Sequence, residues 1–518
     1  MQQMKSVMTD IQSLGVRVPA GVSGRRGGAG PAEGRALVIE DYALHVPIAS
    51  PFAARSPYAI QETSNGFLLK KGDHPVCPVE VVGEPAFYKE RTETGIGYRQ
   101  IALLHGRDCL ATTVLQRCRH WASSNRCQFC GTEISLQNGL TLAKKQPDQL
   151  AEVALAAQIK DRVSHVVLTS GTGDPPGSEI HHLSACTAAI KKATGLPVHV
   201  QFAPPGDLGL LEILRDAGAD TVGIHIESFD EGILSRIAAG KAAIGMARYI
   251  SAWKRAVVLF GANQVSSFLI AGLGEDPESI VWGSEILADI GVYPFVVPLR
   301  PIPGSRLADW LPPEPAVMMA VYEKVAEVLG QKGLSRRQSK AGCVRCGACS
   351  VLPLYEKKAP EQLICRSTRN ESETKRAFAI RQDVFVREQK LFTGSDRDEN
   401  DPNSIHLVAE VDGAIVGTVR VFPAGSNGHW IGGRLAVRKK NRVYHVGAGL
   451  VREAMKRVKK RGCTHFTAHI QKDNVEFFKR LGWKPVGDME NHFNRPHQLM
   501  VADLGSVPDR DGGKWTSI

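Results

Sequence analysis

The chain has 518 residues, 43% of them hydrophobic and 23% charged, with a net charge of +11. This composition excludes a disordered, collagenous or fibrous chain, and at ~100–200 residues per domain it suggests about three domains. Apolar runs fall short of the ~18 residues that a membrane-spanning helix needs, and the first residues lack a secretory h-region, so the sequence predicts a cytoplasmic protein without membrane contact. The charge is uneven: residues 366–518 carry +9 of it. Such an excess suits nucleic acid, an anionic surface or an anionic cofactor.

In chain order, residues 1–35 end in a Gly/Arg run and read as a flexible arm. Residues 36–100 hold short alternating runs and read as the strands of an N-terminal extension. From 101 to 335, short β-rich runs (111–115, 163–169, 198–202, 221–226, 264–270, 292–299) alternate with helical patterns (147–160, 178–193, 209–217, 276–290, 315–329). Alternation of this kind implies parallel strands with crossover helices. It predicts an α/β fold, a (βα)6-type partial or full TIM-like barrel, with its chemistry at the C-terminal ends of the strands. Residues 336–370 are cysteine-rich, residues 371–505 read as an α+β unit in the order α-β-β-β-α-β-α-β, and residues 506–518 as a tail.

Seven of the eleven cysteines fall in two groups. Cys118, Cys127 and Cys130 follow the first barrel strand. Three thiolates on one loop suit a 4Fe-4S cluster with one open iron, and Cys118, His120, Cys127 and Cys130 suit tetrahedral zinc only slightly less well. Cys343, Cys346 and Cys349 form C-x2-C-x2-C, with Cys365 sixteen positions on. Consecutive spacing favours a ferredoxin-like cluster over the separated pairs of zinc sites.

With Phe129 before Cys130, the turn Thr169-Ser-Gly-Thr-Gly-Asp, the run Gly223-Ile-His-Ile-Glu-Ser-Phe, the run Phe268-Leu-Ile-Ala-Gly-Leu-Gly-Glu and the motif Pro298-Leu-Arg-Pro-Ile-Pro-Gly, residues 100–335 resemble the radical S-adenosylmethionine (SAM) superfamily, in its biotin-synthase-like branch. The usual first gap in the cysteine loop is three residues, where this chain has eight. The resemblance implies that Cys118, Cys127 and Cys130 hold a 4Fe-4S cluster. It implies that Ser170, Gly171 and Thr172 bind the SAM amino group, Glu227 and Ser228 the ribose, and Ile270 and Gly272 the adenine. It also implies a small-molecule substrate and a reducing partner such as flavodoxin or ferredoxin. Many superfamily members carry an auxiliary cluster, which here implies Cys343, Cys346, Cys349 and Cys365 as its ligands. Residues 36–368 look like one uncharacterised family of the superfamily, encoded beside a nitrilase, which implies a role with a small nitrogen compound and enzymes of that pathway as partners.

Residues 371–505 resemble the GNAT (Gcn5-related) N-acetyltransferases. The match rests on the hairpin signal Asp412-Gly413 between alternating runs, on Gly433-Arg-Leu-Ala-Val, and on Arg442-Val-Tyr-His-Val-Gly-Ala-Gly, where His445 stands in place of a first glycine. It implies acetyl-CoA as donor, with Leu435, Val437, Arg442, Gly447, Gly449 and Asn474 at the coenzyme. Backbone N–H groups at a helix start bind such a pyrophosphate well. Glu410 is the candidate general base, and Phe477 and Phe478 stand where many members carry a tyrosine. A bound coenzyme accounts for the basic last third better than nucleic acid, for which the sequence carries no motif. Three readings follow: a bifunctional enzyme, a radical SAM enzyme whose GNAT unit only binds, and a zinc-binding non-enzyme.

Overall fold

The computed structural model describes residues 2–24, 34–64, 66–356, 363–411, 413–425, 427–444 and 446–506. The glycine-rich run after residue 24, His445 and the tail beyond 506 lie outside the described residues. The chain divides into two compact units, 1–357 and 358–518.

The first unit opens with a helix, Gln2–Leu14, where the sequence suggested an arm. Val7, Met8 and Ile11 form one apolar stripe and are buried. Gln12 accepts from the Tyr322 hydroxyl at 2.8 Å, which fixes this helix on the helix Pro315–Lys332. Strands β1 (Arg35–Ile39), β2 (Tyr42–Val46), β3 (Tyr58–Thr63), β4 (Gly66–Lys71) and β5 (His74–Val81) form an antiparallel sheet in the order β2-β1-β5-β4-β3.

The barrel strands are β6 (Leu103–His105), β7 (Cys109–Leu115), β8 (His165–Ser170), β9 (Val198–Gln201), β10 (Thr221–Gly223), β11 (Val265–Ala271) and β12 (Val292–Pro298). Their spatial order runs β12 to β6 in strict sequence. Strands β7–β12 are parallel, and β6 pairs antiparallel with β7 as an extra hairpin. All six sequence-predicted strands are present. The sheet is open, since β12 pairs with β11 alone, so the barrel is partial. Strands buried on both faces explain the continuous apolar runs.

The second unit holds β13 (Leu363–Ser367), β14 (Ile405–Val411), β15 (Ala414–Pro423), β16 (His429–Val437), β17 (His465–Gln471), β18 (Trp483–His492) and β19 (Arg495–Ala502), in the order β13-β14-β15-β16-β17-β19-β18. β14 and β15 pair antiparallel with Val411 opposite Ala414, as the hairpin signal predicts, while Asp412 itself lies outside the described residues. β13 went unrecognised in the sequence and takes the C-terminal part of the expected cysteine segment into this sheet. β16 and β17 run parallel but pair only over His429–Ile431 and His465–Thr467. Beyond those pairs the two strands have no mutual register, which opens a gap in the sheet. The helix Val446–Lys459 packs on β13–β16.

Candidate active sites

In the first unit the functional groups gather where β7, β8, β10 and β11 end. The cysteine loop is pinned from several sides. The Cys118 N–H donates to Glu133 Oε1 at 2.9 Å, the Gln128 N–H to the Ile237 carbonyl at 2.8 Å, and Arg126 stacks on Trp121 at 3.4 Å. Burial pushes the Cys127 thiol up to about 12 and also raises Cys130. Thiolates at these positions therefore need a compensating cation, which a ferric/ferrous cluster supplies. Among the described residues, the group of three whose ligand atoms all lie within 4.8 Å of one another is His469, Glu490 and His492, which includes none of Cys118, His120, Cys127 and Cys130. Tetrahedral zinc, with bonds of about 2.0–2.3 Å, requires tighter convergence than this loop shows.

The turn after β8 presses on the exit of β7: a side chain at Gly171 would fall 2.2 Å from the Arg117 carbonyl. Thr172 accepts from the Arg119 N–H at 3.0 Å, and Ser170 Oγ bonds the Gly171 carbonyl at 2.8 Å. Buried Glu179 takes the Gly173 and Gly177 N–H groups at 3.1 and 2.9 Å, which shapes the same turn.

Glu227 sits at φ +77°, strained for a residue with a side chain. It is held there by bridging β11, donating to the Phe268 carbonyl at 3.0 Å and accepting from Ile270 N–H at 2.9 Å. Its Oε1 receives Lys241 Nζ at 2.6 Å, whereas Oε2 is buried without a partner. Ser228 Oγ is spent on the Asp230 N–H at 3.2 Å. Ile270 belongs to an apolar group with Ile233, Ile237, Leu273, Leu299 and Leu307, against which Phe129 packs. Gly272 has φ +97°, and Glu275 fixes its turn by accepting from Gly272 and Leu273 N–H at 2.7 and 2.8 Å. The resident group expected here, a cluster with SAM, fits these residues: three thiols on one pinned loop, an orphaned carboxylate oxygen and an apolar slot.

In the second unit a cleft of about 280 Å³ opens where β16 and β17 part. Leu435, Asn474, Arg434, His469, His492 and His497 are among its lining residues. Val437 is core. Arg442 holds Glu388 with two bonds of 2.6 and 2.7 Å and the Val437 carbonyl at 3.0 Å, so it braces the turn before the helix. A side chain at Gly447 would approach Phe477 at 3.6 Å. A side chain at Gly449 would stand 2.9 Å from Cys365 Sγ, so Gly449 is a close-packing glycine and faces the core. Glu410 pairs with Arg366, which also grips Glu373 at 2.6 and 2.9 Å. Glu410 therefore faces β13 with its charge already satisfied.

The sequence model of the radical SAM superfamily matches residues 123–281, and that of the acetyltransferase (GNAT) family matches residues 370–483. The chain therefore carries a radical SAM domain and, C-terminal to it, a GNAT acetyltransferase domain. It is an enzyme. A protein of Bacillus subtilis (strain 168) with a provisional acetyltransferase name is 30% identical over 135 residues, which is 26% of this chain and 90% of that one. The bacteriochlorophyllide c C-7(1)-hydroxylase of Chlorobaculum limnaeum is 27% identical over 135 residues, 26% of this chain and 33% of its own length. The chain thus spans about a third of that relative. The Escherichia coli protein ElaA shares 19% identity over 27% of this chain and 99% of its own, with a TM-score of 0.25. Among the described residues, no helix is long and apolar enough to cross a membrane.

Sequence reasoning missed Lys241, which reaches Glu227 from a short helix fourteen residues on, and Glu179, whose carboxylate stays within its own turn. The second cysteine group is divided between the two units. Cys365 lies on β13 of the GNAT unit, in antiparallel register with Ala409, and packs in that unit's core. The other three thiols belong to the radical SAM unit.

Proposed function

We propose that the radical SAM unit binds a 4Fe-4S cluster on Cys118, Cys127 and Cys130, and SAM between the Ser170–Thr172 turn, Glu227 and the Ile270–Gly272 slot. The buried, unpartnered Oε2 of Glu227 carries this reading, because a buried carboxylate oxygen without a donor is costly and a ribose hydroxyl satisfies it. When bound and reduced, the cluster with SAM supplies a 5′-deoxyadenosyl radical that takes a hydrogen atom from a small substrate. The chain's own part is to hold that geometry. Lys241 keeps Glu227 aimed, Glu275 fixes the adenine turn, and the group around Ile270 keeps water from the slot. Anaerobic reconstitution with iron and sulfide, reduction and addition of SAM should yield 5′-deoxyadenosine. Stoichiometric zinc and no 5′-deoxyadenosine would defeat the proposal. The cysteine-rich segment is read as holding a second cluster.

The GNAT unit is read as transferring an acyl group from coenzyme A to an amine in the β16–β17 cleft. The opened backbone of β16 beyond Ile431 supports this, since its unpaired groups suit the pantetheine amides. The start of the helix Val446–Lys459 suits the pyrophosphate. Glu410 is already paired, so the general base is assigned to His469, which lines the cleft. Burial, then the neighbouring His492, holds it below the ordinary histidine range and so neutral at pH 7. The amine nitrogen attacks the thioester carbon, His469 takes the amine proton, and the coenzyme leaves as thiolate. Release of free thiol from acetyl-CoA with an amine library tests this; a chain that binds acetyl-CoA and releases none would make the unit a binding module.

A further inference from the structure

We propose that the second cysteine group is a closed four-thiol site whose fourth ligand is Cys109, at the N-terminal start of β7, in place of Cys365. The proposal rests on the reading above that this group holds a cluster. The helix Gly342–Cys346 ends at Gly347, whose φ of +69° reverses the chain. That reversal brings Cys346 and Cys349 back under the barrel sheet. There Cys346 packs in one buried group with Cys109, Ala111, Val167 and Ala348. Cys346 Sγ lies 4.0 Å from the His105 carbonyl, at the turn that leads into Cys109. Cys343 accepts from Gln201 Nε2 at 3.2 Å, from inside the sheet. Cys349 Sγ meets His105 Nε2 at 3.1 Å.

The β6–β7 turn folds over this group. Gly106 lies so close that a side chain there would stand 2.8 Å from Cys346 Sγ. Arg336 donates to the Arg345 and Cys346 carbonyls at 2.9 and 3.0 Å, which fixes the cysteine loop and brings a positive charge beside the thiols. His105 is already at hydrogen-bond distance from a sulfur, the position of a group that tunes a ligand, so the fourth bond goes to Cys109. No three of these ligand atoms lie within 4.8 Å of one another, among the described residues. One zinc ion, with Zn–S bonds of about 2.3 Å, would need such convergence, whereas a cubane spreads its thiolates wider.

Two consequences follow. With four thiolates the cluster has no open iron, so it can pass electrons or hold the barrel floor but does not take substrate. It also lies at the far end of β7 from the Cys118 loop, roughly 20 Å away at ~3.3 Å per residue.

The test uses the full chain with Cys118, Cys127 and Cys130 all changed to alanine, so that any cluster belongs to the second site. After anaerobic reconstitution, iron and sulfide are counted and the dithionite-reduced EPR spectrum recorded. The expected result is four irons per chain. C109S and C109A in that background should lose the reduced 4Fe-4S signal and fall to three irons or fewer, and C365S should keep four. Retention of four irons with an unchanged spectrum in the folded C109S or C109A chain overturns the assignment, as does their loss in C365S. Should both Cys109 variants fail to fold, H105A and C365S decide it: the site must survive both, because only Cys109 is then left as fourth thiol. A background chain that holds one zinc, or no metal, defeats the underlying cluster reading instead.

Discussion

Lys241 Nζ stands 2.6 Å from Glu227 Oε1 and 2.6 Å from the His225 carbonyl oxygen. The ammonium thus spends its donors on one side of the carboxylate and leaves the other oxygen buried without a partner. Burial alone would lower the Lys241 pKa, but Glu227 raises it, so the ammonium stays charged.

Removing one partner should expose that division of labour. Glu227→Gln should weaken SAM binding about tenfold, ~1.4 kcal/mol, with little change in melting. Lys241→Met strands a buried carboxylate and should destabilise the radical SAM unit by about 3 kcal/mol. Calorimetric titration with SAM and thermal unfolding read the two effects. Equal binding by E227Q and the native chain would contradict the ribose assignment.

The GNAT unit should be acid-sensitive. Arg381 is buried and holds Asp396 at 2.7 Å and Asp401 through Oδ2 at 2.9 Å. Burial would raise the Asp401 pKa, but hydrogen bonds from Arg381 and Arg420 outweigh it and hold the group well below its ordinary value. A depressed carboxylate contributes stability above its unfolded pKa of about 4 and loses it as pH falls further. Unfolding of the full chain at pH 7, 5 and 3 should show the GNAT transition weakening below pH 4. Asp401→Asn should flatten that dependence and cost about 3 kcal/mol at pH 7.

The pH–rate profile tests His469. A base held below the ordinary ~6.5 places the acid limb of kcat/KM under that value. His469→Gln should lower kcat/KM by about 100-fold, whereas Glu410→Gln should change it less than about threefold. An acid limb above pH 7, or the reverse ranking of the two variants, would refute the assignment.

The same histidine also limits tolerance to metals. His469, Glu490 and His492 present ligand atoms within 4.8 Å of one another, and these are ligand types that zinc takes. Added Zn²⁺ should inhibit acyl transfer reversibly, with EDTA restoring it, while EDTA alone leaves the rate unchanged. Loss of activity in EDTA alone would make the metal a requirement.

Gly449 should resist enlargement. Gly449→Ala places a carbon 2.9 Å from Cys365 Sγ and 3.3 Å from Leu363 Cδ2. Overpacking of this kind costs about 1–3 kcal/mol, readable as a lowered melting temperature of the GNAT transition. A simultaneous Cys365→Ala should recover most of the loss.

Much of this was legible in the sequence because the chemistry sits on turns that follow strands. Period and spacing located all six barrel strands and the first cysteine loop, and the resemblance to the radical SAM superfamily pointed to Glu227 and the Gly272 turn. The N-terminal helix was obscured by the glycine run beyond it, although Val7, Met8 and Ile11 already carried a helical stripe. Cys365 resembled a ligand because it is near in sequence. Cys109 stands apart in the sequence because Cys346 lies more than 230 positions away, and packing of the Gly342–Cys346 helix brings the two together. Lys241 and the Arg366–Glu410 pair were hidden for the same reason: long side chains meet through tertiary packing, and spacing does not encode it.

The parting of β16 from β17 also bears on how the chain survives without its acyl donor. A strand that loses its neighbour inside a sheet leaves amide groups open to any extended segment, the hazard ordinarily met at sheet margins. A donor that lies along that strand covers them and binds only the folded form. At a hundred times its dissociation constant it would add about 2.7 kcal/mol to the unit's stability. The supply of coenzyme would then set how much of this half stays folded, as well as how fast it works.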